Sequence, residues 1–176
     1  MKRNVIYLLL LLMVTACGDR TPVIDLEADN STRYKENMIN ANRVVIQSEA
    51  TQIEGYLQRR GMEAKTLPCG ALYHEYTHGD GSIINPDDTV VVTYRLEALD
   101  GTPFYTCQTD TLTVGRRQVT VALDDLLQQL PCGSQAWLIA PSNTAYGVAG
   151  DGDRVPSRTV IIYNVISINK IHFNKS

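Results

Sequence analysis

The stretch APSNTAYGVAGDGDRVPSRTVIIYNV, residues 140–165, decides how the fold of this chain is interpreted. An apolar run leads into it and a β-branched run leaves it, while the residues between are rich in Gly, Pro, Ser and Asp. A long loop inside a compact domain is usually either functional or disordered. The stretch therefore predicts two strands joined by a functional loop, and this loop carries Tyr146.

The flanking sequence predicts the rest of the domain. Alternating or β-branched runs predict strands, and they occur at residues 71–79, 89–99, 111–115, 134–140 and 159–171. Asp100-Gly101 is a strong hairpin signal between two of them. One helical face over residues 119–130 is formed by Leu123, Leu126, Leu127 and Leu130. These patterns predict an α+β fold over residues 68–172, an antiparallel sheet of about five strands wrapped around one short helix.

A separate helix is predicted over residues 33–61, as an N-terminal appendage to this domain. Apolar residues recur at helical spacing, Arg59 and Arg60 lie in the last turn, and Gly61 has the place of a C′ residue. The apolar stripe fits two uses. The helix either packs on its own domain or forms a homodimer through residues 33–60.

The N-terminus has the features of an export signal. Lys2 and Arg3 precede the apolar run VIYLLLLLMV, and VTAC follows, ending at Cys17. VTAC resembles the lipobox of bacterial lipoproteins, which implies a signal peptide over residues 1–16, lipidation of Cys17 and a flexible tether over residues 17–32. The alternative is an ordinary secretory signal. The expected location is the cell envelope, lipid-anchored at the periplasmic or outer-membrane face, with the membrane as a partner.

Composition narrows the function classes. The net charge is −3 without a basic stripe, so no nucleic-acid partner is expected.

His74 and His78 share one strand face but are poorly spaced for a metal, and Asp151 and Asp153 lack the other ligands of a calcium loop. We therefore expect no metal and no cofactor. The remaining cysteines are Cys69, Cys107 and Cys132, of which one pair could bridge in an oxidising compartment. An equally good alternative is that all three are small buried apolar residues, and no pairing is predicted.

Residues 72–168 resemble FKBP-type peptidyl-prolyl isomerases. The resemblance rests on four motifs: Pro141 with Ala145-Tyr146-Gly147, Val155-Pro156, Tyr163-Asn164-Val165, and the upstream run VVVTYRLEALDGTPF. The segment TVGRRQVTVALDDLLQQL is similar to the one that leads into the central helix of that family. With its preceding helix, the chain looks like FKBP-like lipoproteins, some of which are associated with gliding motility.

The resemblance implies a site and an activity. It places Tyr94, Phe104, Tyr146 and Tyr163 as catalytic residues and Val119, Thr120, Leu123 and Val155 as substrate-binding residues. Tyr146 would offer its hydroxyl, and Thr120 its backbone N–H, to carbonyl groups of an X-Pro segment in an unfolded or extended protein. The implied function is a lipid-anchored peptidyl-prolyl isomerase that assists the folding of envelope proteins.

Three positions depart from the family pattern. Leu123 stands where the pocket floor is usually Trp, Tyr105 where an aspartate usually follows Phe104, and Asp110 where another pocket aromatic is usual. These departures imply a deeper, less aromatic and more weakly catalytic pocket. The alternative function is a non-catalytic FKBP-like module that binds a peptide or a partner protein in the same groove.

Overall fold

A computed structural model describes residues 26–171, and the side chains from residue 31 onward. The helices are α1 (Leu26–Arg60) and α2 (Val121–Leu127), and a short 3-10 helix spans Ser142–Thr144. The strands are β1 (Lys65–Thr66), β2 (Leu72–Thr77), β3 (Thr89–Ala98), β4 (Pro103–Thr113), β5 (Gln135–Ala140) and β6 (Ile161–Lys170). The predicted signal peptide and Cys17 lie outside the described residues.

All the strands of residues 26–171 join one antiparallel sheet in the order β1-β2-β5-β6-β3-β4. The predicted α+β class, with one sheet, one short helix and an N-terminal helix, is confirmed. The sheet has six strands in place of about five, because the two-residue β1 adds to its edge. The β3–β4 hairpin turns at Asp100-Gly101 as predicted, with Gly101 at φ +88° and its N–H donating to the Ala98 carbonyl.

The two faces of the sheet bury different clusters. Successive strand residues point to opposite faces, so the paired residues Leu138 and Tyr163 face one cluster while their neighbours Ile139 and Ile162 face another. The first cluster contains the predicted leucine face, of which Leu123, Leu126 and Leu127 belong to α2 and Leu130 follows its end, and all four are buried. The second cluster is closed by α1.

Helix α1 begins at Leu26, seven residues earlier than predicted and inside the predicted tether. Leu26-Glu27-Ala28 are good helix formers, and no proline follows Pro22 to stop the helix. At the other end, the N–H of Met62 donates to the Leu57 carbonyl and the N–H of Gly61 to the Gln58 carbonyl, which is the predicted glycine C-cap.

The boundary between two compact units falls inside α1, after Ala41. In the first unit the helix exposes Tyr34, Met38 and Ile39. In the second unit Ile53 and Tyr56 are buried against the Ile139–Ile162 face of the sheet, so this part of α1 packs on its own domain. No helix within residues 26–171 combines the length and apolarity needed to cross a bilayer.

Candidate active site

A pocket of about 390 Å³ opens where β3, β4, β6, the N-terminus of α2 and the long loop meet. We call residues 141–157, between β5 and β6, the flap. The pocket is lined by Tyr94, Asp110, Gln118, Val119, Thr120, Ala145, Tyr146 and Tyr163. Five of the eight predicted site residues are therefore brought together here: Tyr94, Val119, Thr120, Tyr146 and Tyr163.

The β3 wall of the pocket is a tyrosine whose hydroxyl is held by a carboxylate. The Tyr94 hydroxyl donates to Oδ2 of Asp110 on the neighbouring strand β4, over 2.8 Å. Burial, and then this hydrogen bond, raise the pKa of Tyr94. Its ring meets the Tyr163 ring edge to face, with 5.1 Å between centroids and 68° between planes. This contact fixes two pocket walls against each other.

A second hydroxyl cluster joins β6, α2 and the flap. The hydroxyls of Tyr163 and Thr120 are 2.9 Å apart, and Thr120 is the N-cap of α2. Burial raises the pKa of Tyr163 well above its ordinary value, and the neighbouring Tyr146 adds to the rise. Burial also raises the pKa of Tyr146. A hydrogen bond with Tyr163 lowers this pKa, whereas the charges of Asp151 and Asp110 raise it further. These phenols stay protonated at neutral pH and remain available as donors.

The flap is organised by one aspartate. Oδ1 of Asp151 accepts the backbone N–H groups of Asp153, Arg154 and Val155 at 2.8–2.9 Å. Its Oδ2 accepts the Tyr105 hydroxyl over 2.6 Å, which ties the flap to β4. Desolvation alone would raise the pKa of Asp151, but the hydrogen bonds from Tyr105 and these backbone groups lower it. The same hydrogen bond raises the pKa of Tyr105 to about 12.

Three of the predicted site residues do not line the pocket. Leu123 has no exposed surface and Val155 is 4% exposed, because both side chains pack within the apolar cluster of the sheet and α2. Phe104 is half-buried against the same cluster, and its carbonyl accepts from Arg154 of the flap. These three residues support the pocket from behind its lining, and their roles in catalysis and substrate binding stay predictions.

Three residues contribute to the site although the sequence did not predict a role for them. Asp110 was noted for the aromatic residue it replaces, whereas in the structure it is the partner of Tyr94. Gln118 lines the pocket beside Val119. Glu49 on α1 bonds the start of the flap, and a glutamate interrupting the apolar stripe between Ile46 and Ile53 was the available signal.

A second cavity, of about 350 Å³, lies between α1 and the start of the flap. Its lining is mainly aliphatic and includes Ile46, Ala50, Leu57 and Pro141. No tyrosine lines it, and of these two cavities the pocket at Tyr146 is the one that combines aromatic walls with convergent hydroxyls. Within residues 26–171, no three His, Cys, Asp or Glu residues are grouped as a metal site would require. The described cysteines, Cys69, Cys107 and Cys132, are all free.

The fold and the tyrosine-lined pocket define a class of protein, the FKBP-type domains. A family model for FKBP-type peptidyl-prolyl cis-trans isomerases matches residues 81–166. Residues 81–166 therefore form an FKBP-type domain, as the sequence resemblance predicted.

Individual relatives agree with this assignment. A probable FKBP-type peptidyl-prolyl cis-trans isomerase FkpA of Neisseria meningitidis is 30% identical over 103 residues, 57% of this chain. The chain spans only 38% of that relative's length. A peptidyl-prolyl cis-trans isomerase structure from Pseudomonas syringae is 27% identical, with a TM-score of 0.59, covering 72% of this chain and 95% of that one. The structure of FkpA from Escherichia coli shares the fold, with 19% identity and a TM-score of 0.58. The superposed region covers 97% of this chain and 83% of the FkpA chain.

Proposed function

We propose that this protein catalyses the cis–trans isomerisation of X-Pro bonds in extended segments of other proteins. The observation that carries the proposal is the pocket in which Tyr94, Tyr146 and Tyr163 converge. The barrier to rotation, about 18–20 kcal/mol, comes from the double-bond character of the amide, and uncatalysed rotation takes about 10–100 s. A catalyst lowers this barrier by holding the twisted amide better than the planar one.

Each pocket group has a part in this proposed reaction. The edge-to-face pair of Tyr94 and Tyr163 supplies apolar surface for a prolyl ring and excludes water from it. Tyr146 supplies a hydroxyl donor from the flap to a peptide carbonyl. Thr120, at the start of α2, offers its backbone N–H to a second carbonyl. No proton is transferred and no covalent bond forms, so no nucleophile is needed.

Isomerase assays on short X-Pro peptides test this proposal. We expect Tyr146→Phe to lower kcat/KM by about 5–10-fold, the equivalent of one hydrogen bond of about 1 kcal/mol. Tyr34→Phe is the matched control, since Tyr34 is an exposed tyrosine on α1. Wild-type protein that leaves the spontaneous rate unchanged at any concentration would refute catalysis.

The second candidate is a non-catalytic module that binds peptides in the same pocket. Asp110 favours it, because a carboxylate in the wall makes the pocket more polar than the family pattern implies. A groove that holds the planar and twisted amides equally well binds without accelerating rotation. Saturable binding of an X-Pro peptide, displaced by a second peptide but without isomerisation, would favour this candidate.

The proposed setting is the cell envelope, where a lipid on Cys17 would anchor the protein and its clients would be folding envelope proteins. Support comes from the lipobox-like VTAC and the apolar run before it. Metabolic labelling with radioactive palmitate tests the anchor: wild-type protein should be labelled and the Cys17→Ala variant should not. Equal labelling of wild-type protein and the Cys17→Ala variant would mean that the lipid is attached elsewhere. Absence of label from both proteins would contradict the proposed anchor.

A homodimer through residues 33–60 is proposed as well. Its support is the exposed apolar surface of Met38 and Ile39 on α1. Light scattering should give twice the monomer mass for wild-type protein and the monomer mass for Met38→Glu/Ile39→Glu. A wild-type monomer at micromolar concentration would contradict the proposal.

A further inference from the structure

A buried glutamate of α1 accepts hydrogen bonds from the flap that carries Tyr146. Glu49 is only 4% exposed. Its Oε2 accepts the backbone N–H of Ser142 over 2.9 Å, and its Oε1 accepts the Ser142 hydroxyl over 2.5 Å. Both carboxylate oxygens are therefore committed to one residue of the flap, 93 positions further along the chain.

Ser142 in turn holds the backbone on both sides of Tyr146. It begins the 3-10 helix Ser142–Thr144. Its carbonyl accepts the N–H of Ala145 over 3.1 Å and the N–H of Gly147 over 2.7 Å. Because these are the residues directly before and after Tyr146, a shift of Ser142 moves the phenol relative to the pocket.

The chemistry of Glu49 suggests more than packing. A buried carboxylate is costly unless hydrogen bonds compensate it, and an apolar residue would fill the same helix–sheet interface at lower cost. Charge-assisted hydrogen bonds from an N–H and an O–H are short and directional, so they fix position better than apolar contacts do.

We propose that Glu49 is a positioning residue for Tyr146, and that α1 thereby forms part of the active site. The proposal rests on the proposed isomerase function for its kinetic consequence. The family match begins at residue 81, so this contact is supplied from outside the matched domain. The helix would then act on the reaction by setting where the flap presents its phenol.

Steady-state isomerase kinetics test the kinetic part. We expect Glu49→Ala to lower kcat by about tenfold or more with a smaller change in KM. The reason is that a misplaced Tyr146 hydroxyl loses its hydrogen bond mainly to the twisted amide. Glu49→Gln keeps one acceptor oxygen and should recover much of the loss. Ser142→Ala removes the hydroxyl donor alone and should have a partial effect. Glu54→Ala, an exposed glutamate on the same helix, is the matched control and should leave kcat unchanged.

Amide hydrogen exchange tests the structural part without reference to activity. In Glu49→Ala, the amides of Ala145 and Gly147 should exchange at least about tenfold faster, while those of α2 keep their wild-type protection. Uniformly faster exchange across flap and α2 would mean general destabilisation and overturn the proposal. Unchanged flap exchange would overturn it as well.

The two proposals fail differently. If wild-type protein has no isomerase activity, the proposed function fails and exchange at Ala145 and Gly147 still decides whether Glu49 positions the flap. If wild-type protein is active and Glu49→Ala has the kcat and KM of the Glu54→Ala control, the positioning role fails and the isomerase function stands.

Discussion

Removing the Tyr94 hydroxyl is the most direct test of the pocket wall. Tyr94→Phe deletes the 2.8 Å hydrogen bond to Asp110 and leaves the ring with its edge-to-face contact to Tyr163. Hydrogen bonds to charged groups contribute about 1.5–3 kcal/mol, and water replaces part of the loss at half-buried Asp110. We therefore expect unfolding free energy to fall by about 1–2 kcal/mol.

Thermal and urea denaturation of the two proteins measure this change. For a domain of this size, a loss of about 1–2 kcal/mol lowers Tm by about 3–6 °C. A double-mutant cycle with Asp110→Ala isolates the pair, because Tyr94→Phe should cost much less once the acceptor is gone. Tyr34→Phe, on an exposed side chain, is the control for loss of a phenolic hydroxyl.

Two results would refute the reasoning. The first is a Tyr94→Phe protein whose unfolding free energy lies within about 0.3 kcal/mol of wild type, since the hydrogen bond would then contribute nothing net. The second is an equal loss in the wild-type and Asp110→Ala backgrounds, since the energy would then belong to some other contact.

Two further predictions concern the flap. Gly150→Ala places a Cβ 2.3 Å from the Val155 carbonyl oxygen, so it should cost more than about 1 kcal/mol and lower kcat/KM. Gly152→Ala, also at positive φ but with no atom within 4 Å, is its control, and equal effects in denaturation and kinetics would contradict a steric cause. Asp151→Asn removes the negative charge that favours the neutral phenol, so the pKa of Tyr105 should fall from about 12 toward its ordinary value of about 10. NMR titration of the Tyr105 ring measures this shift, and an unchanged value would show that Asp151 is not its cause.

Local sequence patterns were sufficient for most of the fold. Strand alternation, the Asp100-Gly101 turn and the leucine face each depend on neighbours within a few residues, and each located its element correctly. The bounds differ, since β4 begins at Pro103 instead of residue 111 and α2 ends at Leu127 instead of residue 130. The β1 strand was missed because two residues carry no periodicity. The start of α1 was placed late because polar residues around Asp29 suggested a tether, whereas helix propensity there is adequate.

The pocket was less predictable than the fold. The Gly and Pro residues around Tyr146 predicted that it lies on a loop. The family resemblance predicted that it faces Tyr94 and Tyr163 across the pocket. The complete burial of Leu123 was not predictable, because a family position does not fix how deeply a side chain packs. The hydrogen bond from Ser142 to Glu49 joins residues far apart in sequence, so a local pattern could mark the glutamate as unusual but could not reveal its partner.

The single tryptophan of the chain, Trp137, gives this molecule a built-in optical probe. Its ring packs against the Ile53–Tyr56 cluster and lies within 5.9 Å of the Arg60 guanidinium and 6.4 Å of the Tyr76 ring. Detachment of α1 from the sheet would expose this indole to water, and the indole lies on the face of the sheet opposite the cluster that contains Tyr163. Because Trp137 belongs to β5, emission from the indole compared with far-UV circular dichroism of the sheet separates undocking of the helix from melting of the sheet.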